Sequence, residues 1–174
     1  MTASPARDGV LVVGYGNSLR SDDGVGRAVA ERLADDPRLA GATVLCAHQL
    51  TPELAVDISR AAVVVFVDAA LVGQPGEVTV RRLAPADASA PTPAASFTHH
   101  LDAASLVALA TGLFGGDPRV HLLTIAAASM DVGDQLSPAV TAALPRAVQT
   151  VVDVAVCEPA ATTPDDRRRV VAHA

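Results

Sequence analysis

The 174-residue sequence has no tryptophan, one tyrosine and three phenylalanines, an aromatic share of only 2%. Half of the residues are apolar, so Ala, Val and Leu must fill the interior. A surplus of basic charge is also missing. Thirteen basic residues stand against 19 acidic ones, a formal net charge of −6, which argues against nucleic acid or an anionic membrane as the main partner. Met1 to Asp8 lacks the apolar core of a signal peptide. The most continuous apolar run, Ala61 to Val67, is far too short to span a bilayer. The two cysteines, Cys46 and Cys157, form no C-x-x-C pair and read as buried reduced thiols. A monomeric, cytoplasmic single domain is expected, large enough to bury a core without covalent staples.

What the chain does have is a distinctive opening, Val10-Leu-Val-Val-Gly-Tyr-Gly-Asn-Ser-Leu-Arg-Ser-Asp-Asp-Gly-Val-Gly26. Val10 to Val13 read as a buried strand that Gly14 and Gly16 end sharply. Asn17 to Asp23 form a polar loop with two adjacent carboxylates. From Gly24 onward Val25, Ala28, Val29 and Leu33 recur at helical spacing. Strand, glycine turn and helix make the first half of a βαβ unit. A dinucleotide site is disfavoured: Leu19 stands where a third glycine belongs, an acidic pair would repel a pyrophosphate, and no P-loop Lys follows.

The same alternation continues along the chain. Ala42 to Ala47 and the run Ala61 to Val67 read as strands, the latter covered on both faces as in a parallel sheet. Thr51 and Pro52 are expected to start a short helix. Gly76 to Leu83 alternates as an edge strand would, a pattern that also suits antiparallel pairing. Pro85 to Ser96 is a linker-like loop. A helix through Leu106, Leu109, Ala110 and Leu113 should stop at Gly115-Gly-Asp-Pro118. Val120 to Ala127 is another buried strand, and Ser137-Pro138 opens a last helix that Pro145 should kink. The expected fold is a three-layer α/β/α sandwich, phosphorylase/hydrolase-like, on a mostly parallel sheet of about five strands. Residues 1–8 are expected to form an extension, 9–158 the single domain, and 159–174 a flexible C-terminal tail.

Three features can carry chemistry: the Asp22-Asp23 pair, Asp68 directly after the longest apolar run, and His99-His100 ahead of a helix. The acids follow predicted parallel strands and so should share the edge at which ligands gather in such sheets. Two carboxylates and an imidazole are too few for a closed structural zinc site and would leave positions open for substrate or water. Each residue also has a plain explanation, such as helix N-terminal charge for the acids or a solvated histidine. His48 belongs with the weaker candidates. The residues by themselves are consistent with a metal-assisted hydrolase, a self-contained Zn²⁺ or Mn²⁺ enzyme, or a binding module.

The stretch Gly14 to Gly26 resembles the signature G-x-G-N-x-L-x-x-D-[DE]-G-x-G of the hydrogenase maturation endopeptidases. The resemblance continues through Val65-Phe-Val-Asp-Ala69, Thr98-His-His-Leu-Asp102 and Gly133-Asp-Gln-Leu-Ser-Pro-Ala-Val140. It implies a peptidase that clips the C-terminal extension from the large-subunit precursor of a [NiFe] hydrogenase after nickel insertion, with a non-catalytic maturation chaperone as the alternative. It further implies that Asp23, Asp68 and His99 contact nickel brought by the substrate and serve as the catalytic residues, and Asn17, Asp22, His48 and His100 are expected to bind the substrate. The chain departs from the family where a Gly-x-x-Glu-like segment often follows the last strand; here Ala126-Ala-Ala-Ser129 stands instead.

Overall fold

Strand β3 (Val63–Ala70) is the centre of the sheet, and its side chains explain the layers on either side. Val63, Val65 and Val67 point into one apolar cluster, while Val64 and Phe66 point into another. A strand buried on both faces needs no polar alternation, which accounts for its continuous valine run. The computed structural model describes residues 9–84 and 101–157; the expectations for the extension, the Pro85–Ser96 loop, His99, His100 and the tail lie outside those residues.

β1 (Val10–Tyr15) pairs in parallel with β2 (Thr43–Ala47) on one side and β3 on the other. β3 pairs in parallel with β5 (Arg119–Ala126), and β4 (Val78–Leu83) closes the sheet antiparallel to β5. The order is β2-β1-β3-β5-β4, the expected five-stranded, mostly parallel sheet with its antiparallel strand at the edge. Helices α1 (Val25–Leu33) and α4 (Pro138–Cys157) cover one face, and α2 (Leu54–Arg60) and α3 (Ala103–Phe114) the other. α4 is long and apolar enough by composition to cross a bilayer, yet Val140, Leu144, Ala147 and Val151 are buried against α1 and the sheet.

Local signals set the helix ends. Asp102 accepts the Ser105 N–H at 2.7 Å to cap α3, and Gly115 ends it in the left-handed conformation at φ 67°, as a C-terminal glycine should. Pro138 is the first residue of α4, with the Ser137 hydroxyl as its cap. Pro145 lies inside that helix without ending it.

Several expectations need correction. α2 starts at Leu54 with no side-chain cap, because Pro52 and Glu53 are spent in the preceding turn. β3 does not stop at Asp68 but runs to Ala70, because β5 continues alongside it to Ala126. Both cysteines are exposed: β2 is an edge strand with a neighbour on one side only, and Cys157 is the last residue of α4.

Asp22 is the one buried charged side chain among the described residues, with no exposed surface. Its carboxylate accepts backbone N–H groups from Ala128 at 2.8 Å, Ser129 at 3.1 Å and Ser137 at 2.7 Å. The loop after β1 is thereby tied to the loop after β5. Burial alone would raise this acid, but the Ser137, Ser129 and Ala128 donors outweigh it and hold the carboxyl below its usual range. The expected substrate contact for Asp22 is corrected accordingly: its oxygens are committed to backbone. Asp22→Ala leaves three buried donors unpaired and should cost on the order of 3 kcal/mol or more, read as a lowered urea midpoint at pH 7. Because this pKa is depressed, that contribution fades only as the pH falls below about 4, through the folded-state value.

Candidate active site at the carboxyl rim of the sheet

β1, β2, β3 and β5 run parallel, so the loops that follow them share one rim. After β1 the chain turns at Gly16 with φ 135°. A side chain there would strike the carbonyl of Asp23, so only glycine lets the acidic turn fold back onto the strand end. Asn17 donates its backbone N–H to Asp23 Oδ2 at 2.9 Å, and its own side-chain oxygen accepts the Leu19 N–H at 2.9 Å. Asp23 is half-buried in a single turn of 3₁₀ helix, Ser21–Gly24. Asn17 therefore shapes the loop that presents Asp23.

The next glycine of the motif brings in the second acid. A Cβ on Gly26 would collide with the carbonyls of Val67 and Tyr15. The first turn of α1 thus rests directly on the ends of β1 and β3, one residue short of Asp68. Asp23 and Asp68 come from distant parts of the sequence to the same rim, as expected. Among the described residues no group of three metal-binding side chains gathers, and the third expected member, His99, lies outside them with its neighbour His100. His48 is exposed just beyond the end of β2, at the same rim.

Asp68 sits in a polar row that crosses the sheet on the α2/α3 side. Tyr15 and Asp68 each follow the last β1–β3 pair, Gly14 and Val67. Asp68 is level with Thr124, and Thr124 with Thr79; the two threonine hydroxyls are 2.8 Å apart. Asp68 accepts the Ala69 N–H at 2.8 Å and the Tyr15 hydroxyl. The Tyr15 ring meets Phe66 edge-on at 6.4 Å. Burial raises the Asp68 carboxyl to about 6; the Tyr15 and Ala69 donors pull against it, and the Asp23 charge adds to the rise. Burial, and then the Asp68 charge, push the Tyr15 phenol well above its ordinary value, with a smaller contribution from Asp102. The cap of α3 therefore lies near this row as well.

Two members of this neighbourhood escaped the sequence analysis. Tyr15 could have been noticed, as the sole tyrosine between the first two glycines. Thr124 could not, because its place beside Asp68 depends on the β3–β5 register.

A carboxyl raised in the fold costs stability once ionised. The cost develops as the pH rises from about 4 to about 6 and is fully present above that. Asp68→Asn should therefore raise stability at pH 7.5 by about 1–3 kcal/mol and leave it nearly unchanged at pH 3.5, measured by thermal unfolding at both pH values.

The family model for hydrogenase maturation protease matches residues 28–154. Among curated proteins no sequence matches. The chain is similar to the hydrogenase 2 maturation peptidase of a Thaumarchaeota archaeon, with 27% identity over 84% of this chain and 97% of that one and a TM-score of 0.62. It shares its fold with the [NiFe] hydrogenase maturation protease HycI of Thermococcus kodakarensis, at 23% identity, TM-score 0.66, and 84% and 91% of the two chains covered. The hydrogenase maturating endopeptidase HybD of E. coli has the fold too, at 21% identity, TM-score 0.64, and 83% and 90% covered. With an acidic pair raised on the rim of this sheet and the family model matched across most of the fold, the chain belongs to the hydrogenase maturation protease family.

Proposed function

We propose that the protein removes the C-terminal extension of a [NiFe] hydrogenase large-subunit precursor in the cytoplasm, and that it recognises the nickel already seated in that precursor. The observation that carries this reading is the pairing of Asp23 and Asp68 at one rim, close enough for one charge to raise the other's carboxyl. Two like charges brought together at a half-buried edge are unfavourable for the apo protein and become favourable when a cation arrives between them. Their oxygens suit a divalent ion, and an imidazole adds the nitrogen that nickel favours. His99 is three residues ahead of the Asp102 cap, within about 10 Å of chain, and is proposed as that third ligand.

In this reading the nickel is part of the substrate. Three side chains hold it only moderately, so an empty enzyme does not strip metal from the precursor. Gripping it sets the neighbouring peptide on the rim, where water adds across the scissile bond to give a shortened subunit and a free peptide. The Tyr15 and Ala69 donors orient the Asp68 carboxylate toward its work. Asn17 does the same for Asp23 by fixing the loop. His48 and His100 are proposed to flank the bound chain.

Incubation with nickel-loaded precursor, followed by intact mass, tests the reading. Loss of the C-terminal peptide is expected with nickel and not without it. Asp23→Asn, Asp68→Asn and His99→Ala should each lower processing at least 100-fold while the protein stays folded. Processing that survives His99→Ala and disappears in His100→Ala would move the ligand by one residue. An intact precursor under all conditions would leave a maturation chaperone instead.

A further inference from the structure

The three most exposed large apolar side chains among the described residues are Val132 at 93%, Val72 at 85% and Leu71 at 75%. All three lie at the carboxyl rim, in the loops that follow β5 and β3. Leu19, at 66%, joins them from the loop after β1. Scattered exposed leucines and valines are ordinary; four on the loops of one edge give that edge the concentration of exposed apolar side chains from which interaction sites are built.

These loops are not free to turn the side chains inward. Gly133 donates to the Leu19 carbonyl at 3.0 Å, Ser21 donates to the Gly133 carbonyl at 2.8 Å, and Arg20 and Gly133 form a parallel bridge. Leu19 and Val132 are thereby held on adjoining strips of backbone. On the other side Ala127 donates to the Ala70 carbonyl at 2.8 Å, and Gly76 to the Ala126 carbonyl at 2.8 Å, which pins both ends of the segment carrying Leu71 and Val72. Arg20, Asp131 and Asp134 are exposed next to these residues, giving an apolar centre with a charged border, the anatomy of a protein–protein contact.

We propose that Leu19, Leu71, Val72 and Val132 form the docking surface for an apolar segment of the precursor next to the bond to be cut. This rests on the processing function proposed above. The occupant follows from position: the patch is built on the same loops that carry Asp23 and follow Asp68. A protein substrate whose bond must reach those acids has to lie across it. A metal grip of three side chains does not distinguish one nickel protein from another, whereas desolvated apolar contacts can.

The test separates docking from chemistry. Binding of nickel-loaded precursor is measured by biolayer interferometry on Asp23→Asn, which holds the precursor uncut. Leu71→Ser, Val72→Ser and Val132→Ser together, added to that protein, should weaken binding about 10–100-fold. The same three changes in the wild-type protein should raise KM with kcat little changed. Leu113→Ser with Val80→Ser, exposed away from the rim loops, serves as the control and should leave both unaltered. Circular dichroism melts of the rim variant should match wild type, since its three side chains are each at least 75% exposed. Equal binding by the rim variant and wild type overturns the proposal. So does light scattering that shows a wild-type dimer broken by the rim changes, which would make a second copy of the chain the occupant. Tight, patch-dependent binding without cleavage by the wild-type protein would uphold the docking surface and defeat the processing function.

Discussion

The carboxylate of Asp22 holds the functional edge of this molecule together. It is buried, charged and saturated by three backbone donors from a segment more than a hundred residues away. Burying a charge is expensive unless it is paired or hydrogen-bonded, and here the partners are amides of a loop that backbone bonds to Leu19, Ser21 and Asp22 also hold in place. The result is a rigid junction between the loops after β1 and β5. Asp23, the next residue, is then presented at the rim with its own carboxylate tied, among the described residues, only to the Asn17 backbone N–H. One acid of the pair is structural and the other is available for chemistry. Their order in the chain is what lets a single turn serve both needs.

Glycine makes the second contribution. The collision that any side chain on Gly26 would have with the strand ends means that α1 approaches β1 and β3 as closely as backbone allows. That approach is what brings the turn bearing Asp23 down to the level of Asp68. The glycines of the motif, which in another context would cradle a phosphate, here bring two carboxylates together. Burial raises the Asp68 carboxyl to about 6, and the Asp23 charge brought beside it adds to that rise, an unfavourable arrangement in an otherwise well-packed sheet. An arrangement of this kind is tolerated at sites that bind cations and is rarely kept without a use.

Much of this was legible in the residues. The unbroken valine run of β3, the alternation of Gly76 to Leu83 and the glycine-punctuated opening each name their element, because hydrophobic period and turn chemistry are local properties. The acids were legible as candidates for the same reason: Asp68 directly follows an unbroken apolar run, and Asp22 and Asp23 are an adjacent pair in a glycine-framed polar loop. What misled was also local. Cys46 reads as core because it stands in a strand, and only the strand order shows that strand to be an edge. Asp22 and Asp23 are chemically identical neighbours, and nothing in the sequence says which one turns inward.

By itself, then, the sequence determined the layered α/β architecture, the strands and most helix boundaries, and the set of residues from which a site could be drawn. These follow from side-chain size, polarity and backbone freedom acting over a few residues. The tertiary structure alone decided that Asp22 is a buried clamp and Asp23 a half-buried acid at the rim, that Tyr15 and Thr124 flank Asp68, and that four exposed apolar side chains stand on the loops of the same rim. Each of those depends on strand register and on contacts between segments far apart in the chain. No local pattern encodes such contacts, because their energies exist only after the sheet has formed.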